Sequence, residues 1–132
     1  MVRSILAADD DLDSRLIIRL ALEASGYKGG LYFVNDELEL MDFLYHRGKY
    51  SGSEVPGLII FDLNMPKKDG REALTEIKSD PSLESIPIVI LSSSKSKKDV
   101  QLSRDFNCAF IRKPNSYSQW VNAMGALLKF YE

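Results

Sequence analysis

Short apolar runs alternate along this chain with segments of helical period. SILAA (4–8), GLYFV (30–34), LIIF (58–61), IPIVIL (86–91) and AFI (109–111) read as strands. Three of them are apolar throughout, the pattern of strands covered on both faces of a parallel sheet. The periodic segments between them predict helices. Leu12, Leu16, Ile17, Leu20, Ala21 and Ala24 form one apolar stripe, and Gly26 stops that helix. Leu38, Met41 and Leu44 begin a second helix that ends near Gly48. Asp69-Gly-Arg-Glu72 resembles a capping box and opens a third, running through Leu74 and Ile77 until Asp80-Pro81. Ser96-Lys-Lys-Asp99 opens a shorter fourth. Ser116-Tyr-Ser-Gln119 caps a fifth, with Trp120, Met124 and Leu127 facing inward. Five strands alternating with five helices predict an α/β fold, a (βα)5 open sheet with helices on both faces.

In open α/β sheets the chemistry collects outside the carboxyl ends of the strands. Here the first strand ends in Asp9-Asp10-Asp11, the third in Asp62, the fourth in Ser92-Ser93-Ser94 and the fifth in Arg112-Lys113-Pro114. Parallel strands bring all of these to one edge. Carboxylates converging there repel, by roughly 4 kcal/mol for two charges ~4 Å apart at an effective dielectric near 20. The cluster is tolerable if one acid is protonated, if a cation sits among them, or if a lysine reaches in. Oxygen ligands with open positions suit Mg2+, and neither His46 nor Cys108 lies where it would favour zinc. Carboxylate, Mg2+, hydroxyl and ammonium together make a phosphoryl-transfer site: Lys113 and the metal neutralise phosphoryl oxygens, Ser92 donates a hydrogen bond, and one Asp attacks. Asp62 follows the central buried strand and is the better nucleophile, while Asp9 and Asp10 are better placed to hold metal.

Composition narrows the rest. A chain of 132 residues fits a single domain over residues 1–132. With 45% hydrophobic and 27% charged residues it reads as globular. A net charge of −2 points to neither a nucleic acid nor a membrane surface as partner. One cysteine leaves no disulfide framework, and with no secretory signal and no apolar run near the ~20 residues of a membrane span, a reducing, cytoplasmic compartment is expected.

The segments ILAADDD, FDLNMPKKDG, IPIVILSSS and FIRKP, in that order, resemble the response-regulator receiver domain, the phosphoacceptor half of two-component signalling pairs. The resemblance covers essentially the whole chain. PKKDGREAL, SDPSLESIPIVILSSS and the late Trp120 resemble the small stand-alone receivers that partner phytochrome-type and hybrid histidine kinases. The resemblance implies a flavodoxin-like (CheY-like) sheet in the order 2-1-3-4-5 and phosphorylation of Asp62 by a kinase phosphohistidine. It implies Mg2+ held by Asp10, Asp62 and the Asn64 backbone carbonyl, with Asp9 helping through water. It further implies that Ser92 and Lys113 contact the phosphoryl group, that Phe110 is an aromatic switch and that the Lys113–Pro114 bond is cis. Output is then expected from the face of the fourth helix, fifth strand and fifth helix, carrying Lys97, Lys98, Arg112 and Trp120. It would act on a protein partner or a second copy, or by onward transfer in a phosphorelay, since no effector domain follows Glu132. Asn107-Cys108-Ala109, in place of a glycine-containing turn, and Asn115 after the Lys-Pro depart from the family pattern.

Rival readings fit less well. A haloacid-dehalogenase-type phosphatase would want an acid two residues past its nucleophile, where this chain has Asn64, and a cap domain. A flavodoxin-like cofactor binder would want a Ser/Thr/Gly-rich phosphate loop where this chain has three aspartates. A receiver fold kept only for docking would not need its acids, Ser92 and Lys113 together.

Overall fold

The computed structural model describes residues 3–63, 70–93 and 96–131. The strands β1 (Ser4–Ala8), β2 (Gly30–Val34), β3 (Leu58–Asp62), β4 (Ile88–Ser92) and β5 (Ala109–Arg112) form one parallel sheet in the order β2-β1-β3-β4-β5. The helices are α1 (Leu12–Ala24), α2 (Glu37–Leu44), α3 (Gly70–Ser79), α4 (Lys97–Asp105) and α5 (Tyr117–Phe130). The expected order and alternation are therefore both present. β4 begins two residues later than its apolar run: Pro87 has no N–H to give the ladder, and its carbonyl accepts from the Ile59 N–H at 2.9 Å. No helix among the described residues is long and apolar enough to cross a membrane.

Side chains alternate across the sheet with period two, and this sorts two cores. Leu6, Ala8, Ile59, Phe61, Ile88 and Ile90 face one way, onto Leu40 of α2, Leu74 and Ile77 of α3 and Leu102 of α4. Ile5, Ala7, Leu58, Ile60, Val89 and Leu91 face the other way, onto Ile18 and Leu22 of α1 and Trp120, Met124 and Leu127 of α5. The inner strands β1, β3 and β4 are buried along their whole length, while the edge strands β2 and β5 are only partly covered.

Several helix faces differ from the sequence expectation. On α1, Leu12, Leu16 and Leu20 are 75%, 55% and 41% exposed, whereas Ser14, Ile18, Ala21 and Leu22 are buried. The rows Leu12-Leu16-Leu20 and Ser14-Ile18-Leu22 lie on opposite sides of a helix turning about 100° per residue. Both are largely apolar, so period alone does not choose between them. Leu38 of α2 also points outward, and Leu40, Met41, Phe43 and Leu44 fill the core instead. Trp120 is buried, as its inward position on the fifth helix predicts, so the output face does not carry it as expected; Phe130 is exposed while Tyr131 packs onto the α1/α5 core. His46 lies beyond the end of α2 in the left-handed region, with φ 58°, its ring bonded to the Ser53 hydroxyl at 2.8 Å.

Replacing Ile18 by Ala should cost about 2–5 kcal/mol, whereas Leu16→Ala should change stability by about 0.5 kcal/mol or less. Urea denaturation of the two variants checks this, and a reversed ranking would mean α1 is rotated by half a turn.

Candidate functional site

The period of two continues past the strand ends and decides which residues meet. Asp9 follows Ile5 and Ala7, and Asp62 follows Leu58 and Ile60, so both fall on the α1/α5 side of the sheet. Lys113 follows Ile111 on the same side, and its long stem carries the ammonium across the end of β4. Lys113 Nζ lies 3.0 Å from Asp62 Oδ2 and 4.0 Å from Asp9 Oδ2. The two carboxylates are 1% and 2% exposed, and the lysine side chain 17%. The β5 backbone is pinned there too, the Lys113 N–H donating to the Ser92 carbonyl at 2.8 Å.

Three consecutive aspartates end in three different environments. Asp9 is buried: its N–H donates to the Val34 carbonyl at 3.0 Å, Oδ1 accepts from the Asp11 N–H at 2.9 Å, and Oδ2 has no hydrogen-bond partner among the described residues. Asp10 is exposed. Asp11 is the N-cap of α1, accepting from the Asp13 N–H at 3.0 Å and the Ser14 hydroxyl at 3.1 Å. A cap of this kind satisfies a first-turn donor, so the third acid is structural. Among the described residues no three acids, histidines or cysteines converge closely enough to hold a metal by themselves; the convergent acids are the pair Asp9 and Asp62. Sequence reasoning did not identify Arg15, whose Nε donates to the Asp9 carbonyl at 2.6 Å and whose Nη2 donates to Asn35. Its guanidinium also covers the Phe33 ring. Arginine six residues past an acid carries no sequence signal for such a bond.

Ser92 and Phe110 have the opposite parity and lie on the α2/α3/α4 side, Phe110 half-buried against that core. The buried Ser92 hydroxyl donates to Asp99 Oδ2 of α4 at 2.8 Å. Ser96 caps α4 by accepting from the Asp99 N–H at 3.2 Å, as its position suggests. Asn64, expected to offer its carbonyl, lies outside the described residues. The Lys113–Pro114 bond, expected cis, is not: the described residues contain no cis peptide, and trans is the isomer favoured by about 0.5–1 kcal/mol for a bond before proline. Asn107, at the departure before β5, takes φ 54°, a left-handed conformation that asparagine tolerates much better than most residues.

Electrostatically the cluster is an acid pair sharing one cation. The Asp9 carboxyl is pushed up from 3.8 to about 6: burial and then the neighbouring Asp62 raise it, against the Asp11 N–H bond and Lys113, which lower it. Because the folded pKa lies above the unfolded one, the native state holds a proton between about pH 4 and 6 that the unfolded chain has released. Stability from this group is therefore greatest in acid and declines as pH rises through that window. In buffer free of divalent cations, the urea midpoint of wild type should fall relative to Asp9→Asn between pH 4 and pH 6. Parallel profiles for the two proteins would show that Asp9 does not titrate there.

Comparison with known proteins agrees with the geometry. Residues 5–124 match the family model described as Response regulator receiver domain. Response regulator Rcp1 of Synechocystis sp. is 42% identical over 113 residues, which is 84% of this chain and 76% of that protein. The crystal structure of the phosphorylated cyanobacterial phytochrome response regulator RcpA is similar with a TM-score of 0.90 and 36% identity, covering 99% of this chain and 94% of that one. The Mn2+-bound form of Rcp1 is similar with a TM-score of 0.87 and 33% identity, covering 98% and 94%. With acids at the ends of β1 and β3, a hydroxyl at the end of β4 and a lysine at the end of β5, and with these relatives, the chain belongs to the response-regulator receiver family.

Proposed function

We propose that this chain is a single receiver domain over residues 1–132 that accepts a phosphoryl group on Asp62 from the phosphohistidine of a sensor histidine kinase. The contact of 3.0 Å between Lys113 Nζ and Asp62 Oδ2, beside buried Asp9, carries the reading. In the transfer a carboxylate oxygen of Asp62 attacks phosphorus in line. A P–O bond forms, the P–N bond to the donor imidazole breaks, and its electron pair returns to the ring. The Lys113 ammonium offsets charge on the phosphoryl oxygens, and burial excludes most competing water.

The donor set fits a hard divalent cation: every candidate ligand is oxygen, and Asp9 Oδ2 is a buried carboxylate oxygen with no hydrogen bond among the described residues. In this reading Asp9, Asp10, Asp62 and the Asn64 carbonyl hold Mg2+, and a Mn2+-bound form of the related Rcp1 supports it. When bound, Mg2+ neutralises phosphoryl charge. The similarity to RcpA, described as a cyanobacterial phytochrome response regulator, supports a phytochrome-type or hybrid kinase as donor. The exposed row Leu12, Leu16 and Leu20, starting beside the acids, supports docking of a protein donor there.

Output follows from the phosphoryl group recruiting the Ser92 hydroxyl, with the Phe110 ring moving after it. Shifting a two-state domain from 1:99 to 99:1 takes about 5.5 kcal/mol, within reach of two or three charge-assisted contacts. The α4–β5–α5 face, with Lys97, Lys98 and Arg112 exposed, would then present a changed surface to a protein partner or a second copy.

Incubation with acetyl phosphate and Mg2+ should add one phosphoryl mass to the wild-type protein, and none to Asp62→Asn. Intact-mass spectrometry checks both. A phosphate carried equally by the variant, or none on wild type with metal present, would overturn the assignment.

A further inference from the structure

The Ser92 hydroxyl has one proton to donate, and here it goes to Asp99 Oδ2 at 2.8 Å. Asp99 is half-buried in the first turn of α4, and its own N–H donates to the Ser96 hydroxyl at 3.2 Å, so the helix cap fixes the backbone from which the carboxylate reaches Ser92. Ser92 is 1% exposed, so solvent does not compete for its proton. Period two along β4 sends Ser92 to the α4 side of the sheet, away from the side where Asp62, Asp9 and Lys113 meet. A charged acceptor at this distance makes one of the stronger hydrogen bonds available to a hydroxyl.

We propose that Asp99 is a positioning residue that holds Ser92 in the resting arrangement and competes with a phosphoryl group on Asp62 for the same proton. This rests on Asp62 being the phosphoacceptor. A phosphoryl oxygen must then do more than attract the hydroxyl: it must displace an existing carboxylate acceptor. The release has a second consequence. Once Ser92 turns, Asp99 faces the α4 side with one donor fewer, next to the cap that starts the helix. The occupancy of Asp62 is thereby linked to the first turn of α4 through two side chains.

The probe is beryllofluoride with Mg2+, a phosphoryl mimic whose bound fluorines are counted by 19F NMR. Asp99→Ala should bind it about tenfold more tightly than wild type, the size expected for removing one charge-assisted competitor. Asp99→Asn keeps the shape of the side chain, removes the charge and should tighten binding by less, about threefold, so the measurement survives if the alanine variant folds poorly. In a Ser92→Ala background the same Asp99 substitutions should have no effect, because the contested proton is gone. A merely weakened α4 would loosen the switch in both backgrounds. Equal affinity in wild type and both Asp99 variants, or the same tightening with and without the Ser92 hydroxyl, would overturn the proposal while leaving Asp62 as acceptor. No bound fluorine in any protein would overturn both.

Discussion

Two carboxylates buried within reach of a single ammonium are the constraint around which this molecule is arranged. Taking Asp9 and Asp62 out of water is costly for each charge, and at ordinary separations their mutual repulsion adds to the cost. The structure answers with two of the remedies physical chemistry allows. Lys113 reaches across the end of β4 to sit 3.0 Å from one acid and 4.0 Å from the other. The remaining imbalance falls on Asp9, whose carboxyl is pushed up to about 6. The first remedy works only if β5 ends level with β1 and β3, so the register of the sheet is itself an electrostatic requirement. A dication or a phosphoryl group, on the proposed function, would meet a site of one ammonium and two acids.

Much of this was legible in the chain before any coordinates. Each inner strand is a short apolar run that stops at a polar residue, and a parallel sheet brings such stops to one edge. The structure adds parity to this: counting back in twos from Asp9, Asp62 and Lys113 leads to Ala7, Ile60 and Ile111 on one face, and from Ser92 and Phe110 to Ile90 and Cys108 on the other. Strand period is two with little slack, so the last residues of each strand keep the face that the strand sets. Helix period is less forgiving where a helix is apolar on both sides. On α1, leucines at every fourth position suggested a core face that the fold leaves in solvent, because Ile18 and Leu22 on the opposite side fit the sheet as well. The bonds from Arg15 to the Asp9 carbonyl and from Ser92 to Asp99 were beyond sequence reading for another reason. They depend on side-chain directions across a turn, which no spacing rule encodes.

In the proposed switch the two faces of the sheet divide the phosphoacceptor cluster from the residues that would read it. Asp9, Asp62 and Lys113 project toward α1 and α5, while Ser92 and Phe110 project toward α4. On that proposal a signal would cross the plane of the sheet at the end of β4, where Ser92 is buried. Its backbone carbonyl is bonded to the Lys113 N–H at 2.8 Å while its hydroxyl is bonded to Asp99. One residue thus touches the strand that carries the lysine and the helix that borders the proposed output face. A hydroxyl suits that place better than a larger polar group, since it can change partner by a single side-chain rotation without moving the strand.

The run Asp9-Asp10-Asp11 shows how far position overrides residue type. All three have the same intrinsic acidity, yet one is buried and proton-hungry, one is in solvent and one is a helix cap. The difference comes from where the strand stops: Ala8 is its last residue, so Asp9 keeps the strand's inward direction, Asp10 begins the turn and Asp11 meets the free N–H groups of α1. The cap fixes where α1 begins, and α1 places Arg15 under the Asp9 carbonyl, which in turn holds the buried acid beside Asp62. The third aspartate therefore serves the first through a turn of helix, and moving the cap by one residue would misplace the carboxylate that the charge cluster depends on.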